Sequence, residues 1–394
     1  MPAHTIAGLI AAVSAIALVA LLLQPLATRL RVPDPLIFLV LGVALGGWSV
    51  AADVVTADAL QVVGTIALIA ILADGGLRCG FREFRRVLRP VLALGVVGTL
   101  VSFAAIAEIA HVVADLDWPA ALILGAVLAP TDPAAVFSAL AGQTARIGRI
   151  GRVLEGEAGL NDPIAIALAV EFIDAYGGDP SVAGIASTMA LEAVVGIAVG
   201  VVVALALTRV LGPLRPTISA APALAIFAGA AIAFGGAVLL HGSGFIAAYL
   251  FGLVAGDRDV PERKEVIALH SELAHLGEVA MFVLLGVAIT SVDLGAVALD
   301  GAVLALAIMV VIRPVIAYPT LTLLGYTRSE SAFGSLAGLR GAVPILLASL
   351  PIAAGVPEGE KMLALTAIVV LGSLIVQGIP LPRVAERLHL GGSG

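Results

Sequence analysis

The chain has 394 residues, 60% of them hydrophobic and 12% charged, with a mean hydropathy of +1.12 and a net charge of −7. Soluble domains carry about 25% charged residues, so an ordinary soluble domain is excluded and no nucleic-acid surface is implied. The single cysteine, Cys79, excludes an intramolecular disulfide and a Cys-based metal cluster. There is no Walker A loop, no G-x-G-x-x-G unit and no zinc-like spacing of His, Cys or carboxylates, so no cofactor is implied.

Apolar runs of roughly 20 residues, the length that crosses a ~30 Å hydrocarbon core, recur along the whole chain. They predict an all-α, polytopic membrane protein with about 13 transmembrane helices: one membrane domain over residues 1–388, then a short tail, 389–394, ending in a GGSG linker scar. The predicted spans are 6–28, 34–51, 58–77, 87–113, 118–141, 150–176, 182–208, 219–240, 242–256, 265–291, 296–325, 329–355 and 360–382. The first lacks a basic leader and an A-x-A site, and reads as a mature helix rather than a signal peptide.

Charged residues inside spans are costly and each needs a reason. Span 3 contains A-D-G-G-L (73–77), with Asp74 beside a glycine pair that permits close approach of neighbours. Span 5 is interrupted by A-P-T-D-P (129–133): Pro133 suits the first turn of a new helix, and Asp132 or Thr131 its N-cap. The span then breaks at mid-membrane, where irregular backbone is tolerated only inside protein or along a wet cavity. Asp132 can serve as cap, as ion ligand, or as both.

Span 6 reads E-G-E-A-G-L-N-D-P (155–163). Glu157 and Asn161 share a face, Asp162 lies about 100° further round, and Pro163 leaves the Gly159 carbonyl without its helical donor. Asp162 has no basic partner on its own helix. Burial disfavours a bare carboxylate, which a proton or a metal cation can neutralise, though not readily both. That competition is the minimal chemistry of cation/proton exchange.

Span 11 carries Arg313 before Pro314, and Glu157 is its best anionic partner. Span 12 is interrupted by L-R-G-A-V-P (339–344), where Arg340 can offset free carbonyls of the interrupted helices and reads as structural. Glu192 and Glu278 can reach a cavity, a dimer surface or an intramembrane network. Glu108, Glu155 and Glu171 lie near span ends and read as solvated. His111, His241, His270 and His275 read as interfacial, with pH sensing as the alternative.

Basic residues sort by side. The loops after odd-numbered spans hold 18 of the 21 Lys and Arg residues; Lys361 stands alone on the other side, and Arg313 and Arg340 lie within spans. The positive-inside rule then predicts the N-terminus outside and the C-terminus in the cytoplasm. If spans 1–6 and 8–13 are two repeats joined by span 7, they are inverted, and the interrupted spans 5 and 12 correspond. Paired interrupted helices in inverted repeats mark the binding site of alternating-access transporters.

Together A-P-T-D-P, E-x-G-L-N-D-P, the mid-span Arg-Pro and G-L-R-G-A-V-P-I (338–345) resemble the monovalent cation:proton antiporter-1 family over essentially the whole chain. A-D-G-G-L-R and G-L-R-G-A-V-P-I are most similar to the bacterial potassium/proton antiporters called cell volume regulation protein A. NhaP-type sodium/proton antiporters are similar too. The resemblance implies a secondary transporter of the bacterial cytoplasmic membrane, not an enzyme, which exchanges K+ or Na+ for H+. It implies that Asp162 binds cation and proton alternately and that Asn161 holds the broken helix. Asp132 and the Thr131 backbone would contribute to the ion site, and Asp74 would line the cation path. Glu157 and Arg313 would form a structural ion pair between spans 6 and 11. It further implies a homodimer, electroneutral one-for-one exchange and, in potassium/proton members, a cytosolic regulatory domain after the last helix. One departure stands out. Where many relatives have Ser after the Glu of span 6, this chain has Ala158. Losing that oxygen ligand favours the larger, less tightly held potassium ion, with sodium the alternative.

Two other classes fit less well. A passive cation channel needs a symmetric polar pore, and an intramembrane aspartyl protease needs Asp132 and Asp162 as a shared-proton dyad with a G-x-G-D signature that the chain lacks.

Overall fold

The computed structural model describes residues 32–46, 57–140, 147–178, 182–213 and 221–390, with Leu18, Val19 and Leu22 besides. Apart from those three residues predicted span 1 lies outside the described residues, as do Arg29, Arg31, Arg146, Arg215 and the GGSG terminus. The described residues are helical, without strands. In chain order the helices are α1 (Asp34–Gly46), α2 (Ala57–Arg86), α3 (Leu88–Val113), α4 (Trp118–Leu128), α5 (Pro133–Ala139), α6 (Gly148–Asp174) and α7 (Val182–Leu211). They continue as α8 (Ala221–Leu239), α9 (Gly244–Gly256), α10 (Arg263–Ala288), α11 (Ala298–Leu323), α12 (Arg328–Leu336), α13 (Ala342–Ala353) and α14 (Gly359–Arg387). Among the described residues seven helices are long and apolar enough to cross a membrane, or eight if the bent α4–α5 pair is one span. Helices α1, α9 and α13 are apolar but shorter.

Local chemistry accounts for the breaks. Asp117 caps α4, its carboxylate accepting from the Ala120 N–H at 2.8 Å, with Pro119 in the first turn. The α4–α5 pair bends by 46° across Ala129–Asp132. Predicted spans 8 and 9 part where His241 takes a left-handed φ of 57° and Ser243 caps α9 through the Ile246 N–H at 3.3 Å. Helices α11 and α14 widen into single π-turns (Ala307–Ile312 and Ser373–Gly378) just before Pro314 and Pro380, residues that cannot donate the next helical hydrogen bond. Predicted span 3 ends too early at 77, because α2 runs on to Arg86 through a kink at Gly80, whose φ of 65° suits glycine.

In a bilayer, packing rather than water expulsion holds helices together, and small residues permit close crossings. Helix α10 packs on α1 and α2, and α9 packs on α2, α7 and α8. At the α2–α9 crossing a Cβ on Gly76 would lie 2.6 Å from the Tyr249 carbonyl oxygen, and one on Gly252 2.5 Å from that of Ala73. Alanines of α7, α8 and α9 fill the adjoining core with Phe251. The larger core surrounds α3–α6 and α10–α14, with α13 lying against α2, α4, α6 and α14. The two helix breaks, Ala129–Asp132 and Ala337–Gly341, meet in its middle.

Candidate ion-exchange site

The breaks are tied by reciprocal hydrogen bonds. The Asp132 N–H donates to the Leu339 carbonyl at 2.8 Å. One oxygen of the Asp132 carboxylate, Oδ1, accepts from the Ala134 and Ala135 N–H groups at 2.9 and 3.2 Å, capping α5. The other, Oδ2, accepts from the Ala342 N–H at 3.1 Å, at the start of α13. One carboxylate thus caps two half-helices, satisfying donors that the broken backbone would otherwise strand. With both oxygens so engaged, Asp132 is poorly suited to a protease dyad, though Oδ2 keeps a lone pair for a cation.

Arg340 performs the opposite service. It is 1% exposed, and its Nε donates to the Leu128 carbonyl at the end of α4 at 2.8 Å. Its Nη1 donates to the Gly338 carbonyl at 3.1 Å, and its backbone N–H donates to Ser373 Oγ on the π-turn of α14 at 2.8 Å. A cation therefore sits where two helix C-terminal ends converge, and an anion sits where two N-terminal ends do.

Beside this crossing α6 supplies Asn161 and Asp162, 1% and 5% exposed. The Asn161 Nδ2 donates to Thr131 Oγ1 at 2.9 Å, fixing α6 to the break in α4–α5. The Asn161 and Asp162 Oδ1 atoms are buried without a protein hydrogen-bond partner. An unmatched buried carboxylate oxygen is costly, and the natural counterparts are a proton or a cation.

Asp162 opens on a cavity of about 310 Å³ that Thr131, Asp132, Ala158 and Gly159 also line. The cavity gathers six carboxylates (Asp34, Asp74, Asp132, Glu155, Asp162, Glu278) against Arg78 and His275. Such an imbalance in low-dielectric walls concentrates cations. Asp74 is not bare: Arg78 Nε lies 2.8 Å from its Oδ2, and Ser271 Oγ donates to its Oδ1 at 3.0 Å. The Arg78 side chain is itself half-exposed. Among the described residues no group of three or more His, Cys, Asp and Glu could hold a metal ion as a preformed cluster.

Glu157 lies off the cavity. It forms a buried two-pronged ion pair with Arg313, one Nη1–Oε1 contact and one Nη2–Oε2 bond of 2.9 Å, and Arg313 Nη2 also donates to the Gly334 carbonyl at 3.1 Å. The structure thus brings Thr131, Asp132, Asn161 and Asp162 together, sets Asp74 on the cavity wall, and holds Glu157, Arg313 and Arg340 in the scaffold.

Several residues differ from the reading of the sequence. Glu155 is not a solvated span end: it is half-buried and lines the cavity, because α6 begins at Gly148 and carries it inward. Glu278, read with three alternatives, faces the same cavity, its Oε2 3.7 Å from His275 Nδ1. Asp34, Ser271 and Tyr249 also line the cavity; in the sequence Asp34 only marks a span boundary, and the other two carry no charge. The Tyr249 ring fills the space that a side chain at Gly159 would occupy, a contact legible only after folding. Glu108 is exposed, while Glu171 and Glu192 are partly buried and lie away from the cavity.

Comparison with known proteins bears on the fold and the family. A structure of the sodium proton antiporter MjNhaP1 from Methanocaldococcus jannaschii superposes with a TM-score of 0.82 at 23% identity, covering 100% of both chains, so the two share a fold. The K(+)/H(+) antiporter NhaP2 of Shewanella sp. (strain MR-4) is 33% identical over 379 residues, 94% of this chain and 65% of that protein's length. The Na(+)/H(+) antiporter NhaH of Halobacillus aidingensis is 28% identical, with 93% of this chain and 94% of that protein covered. The family described as sodium/hydrogen exchanger, transmembrane, matches residues 14–387. On that match, over nearly the whole chain, this protein belongs to the sodium/hydrogen exchanger family.

Proposed function

We propose that the chain is a secondary transporter that exchanges one monovalent cation for one proton by alternating access, with Asp162 carrying the two in turn. The observation that carries this reading is the Asp162 Oδ1 atom, buried, without a protein partner, and open to an acidic cavity beside two crossed helix breaks. A proton on Asp162 removes its charge. A cation replaces the proton by drawing on the carboxylate, the Asn161 oxygen, the free lone pair of Asp132 and the Thr131 backbone. Because one group serves both ions, each crossing moves either a cation or a proton, which gives coupled, electroneutral exchange. Glu157 stays charged against Arg313 and takes no part.

Thirteen spans with the N-terminus outside, inverted repeats over spans 1–6 and 8–13, a single domain over 1–388, a homodimer and a bacterial inner-membrane location belong to the same reading. The arginine-bearing helix ends and the paired breaks support it. The substrate is K+ or Na+. Relatives with both names are similar to this chain, and Ala158 on the cavity wall withholds a hydroxyl ligand, which favours K+.

The test is exchange in reconstituted vesicles with an imposed pH gradient. Addition of K+ or Na+ is expected to dissipate the gradient without net current, and a series from Li+ to Rb+ ranks the ions. A steady cation current without a proton gradient contradicts antiport and supports a channel.

A further inference from the structure

A second cavity, of about 540 Å³, lies away from the exchange site where the ends of α2, α7 and α9 meet. Its polar rim holds Arg82, Arg85 and Arg258, all exposed and, among the described residues, without a carboxylate within ion-pair distance. Arg86, by contrast, pairs with Glu83. Its wall is apolar, formed by Val201 and Leu205 of α7 and Leu250 and Val254 of α9.

The rim is built rather than incidental. Gly80 turns α2 with its positive φ, and the Arg82 N–H then donates to Asp257 Oδ2 at 2.9 Å. That bond fixes Phe81–Arg85 over the end of α9. Among the described residues Asp257 is the only carboxylate lining the cavity, so three guanidinium groups face one anion that is already held by a backbone donor.

We propose that this cavity binds an anionic phospholipid, its phosphate on Arg82, Arg85 and Arg258 and an acyl chain along Val201, Leu205 and Val254. Arginine forks match phosphate oxygens in pairs, and basic pockets between membrane helices hold anionic headgroups. A free anion would leave the apolar wall unused. An acidic peptide would have to lie against a wall that faces hydrocarbon.

The experiment uses the full chain in detergent, with bound lipid measured by native mass spectrometry and stability by thermal unfolding. The probes are phosphatidylglycerol, phosphatidylcholine and inorganic phosphate. Phosphatidylglycerol is expected to be retained and to raise the unfolding midpoint, while the other two do neither. Combining Arg82→Gln, Arg85→Gln and Arg258→Gln should weaken retention roughly fivefold per arginine, about 100-fold in all. Val201→Trp, which fills the groove without changing charge, should also weaken it, and Arg387→Gln at the end of α14 should not. Equal retention of phosphatidylcholine, displacement of lipid by inorganic phosphate alone, or undiminished retention in the triple variant would overturn the proposal.

Discussion

At Asp74 the cavity presents an ion pair rather than a free carboxylate. Arg78 sits one helical turn further along α2, its Nε 2.8 Å from Asp74 Oδ2 and its side chain half in solvent. On the proposed path past Asp74, a cation would also meet the Arg78 guanidinium. Unit charges a few ångströms apart near a protein surface interact by one to a few kcal/mol. Replacing Arg78 with Ala is accordingly expected to lower the KM for the transported cation by roughly fivefold, most clearly at low ionic strength. Initial exchange rates against cation concentration check this, and an unchanged KM would show that Asp74 lies off the path. The pairing was open to inspection in the sequence as an i, i+4 spacing. It was hidden by ending span 3 at residue 77, because hydropathy falls at Arg78 although the helix does not. Asp132 shows the complementary limit. Its T-D-P context announces a cap for α5, but its second cap, on α13, exists only because two breaks 200 residues apart cross.

Between helices, two interactions make separable claims about stability. Glu157 and Arg313 join α6 to α11 as a buried pair. Removing one partner of such a pair leaves a bare charge and costs about 3–5 kcal/mol, whereas replacing both by apolar groups of similar size is often close to neutral. Glu157→Gln should therefore lower the thermal unfolding midpoint far more than the combined Glu157→Leu, Arg313→Met variant. Equal losses would mean that the pair contributes through packing alone. Helix crossings give the second case. Gly252→Val would drive side-chain carbon into the Ala73 backbone at the α2–α9 contact, while Gly235→Ala on α8 meets nothing within 4 Å. The first should abolish or sharply reduce folded protein on size-exclusion chromatography and the second should leave it unchanged; the reverse order would refute the crossing. The ion pair was legible from the sequence, since Arg313 is the one cation of span 11 and Glu157 an otherwise unexplained anion. Which glycines mark crossings was not, because the chain has 44 and a glycine's neighbours are set by tertiary structure.

At the scale of the whole molecule, the motifs supply the centre of the candidate site, while much of its surroundings comes from outside them. Asp162, Asn161, Thr131 and Asp132 stand in two short motifs whose prolines and charges are unusual inside a membrane span. Asp34 sits at a span boundary and Ser271 on α10, where a polar residue is unremarkable until the fold turns it inward; Glu155 reads as a solvated span end, and only the fold decides between the three readings of Glu278. The scaffold separates its charges. Arg340 and Asp132 neutralise helix ends, Glu157 and Arg313 neutralise each other, and the Asp162 Oδ1 atom is left buried without a protein partner. The central claim is that one carboxylate exchanges a proton for a cation, and proton release on cation binding measures it most directly. Calorimetric titration of the purified protein with K+ or Na+, run in buffers of different ionisation enthalpy, gives the number of protons released per cation bound. About one proton per cation from the wild-type protein and none from Asp162→Asn is the predicted result at a pH where the site is protonated; cation binding without proton release, or release undiminished in Asp162→Asn, would contradict it.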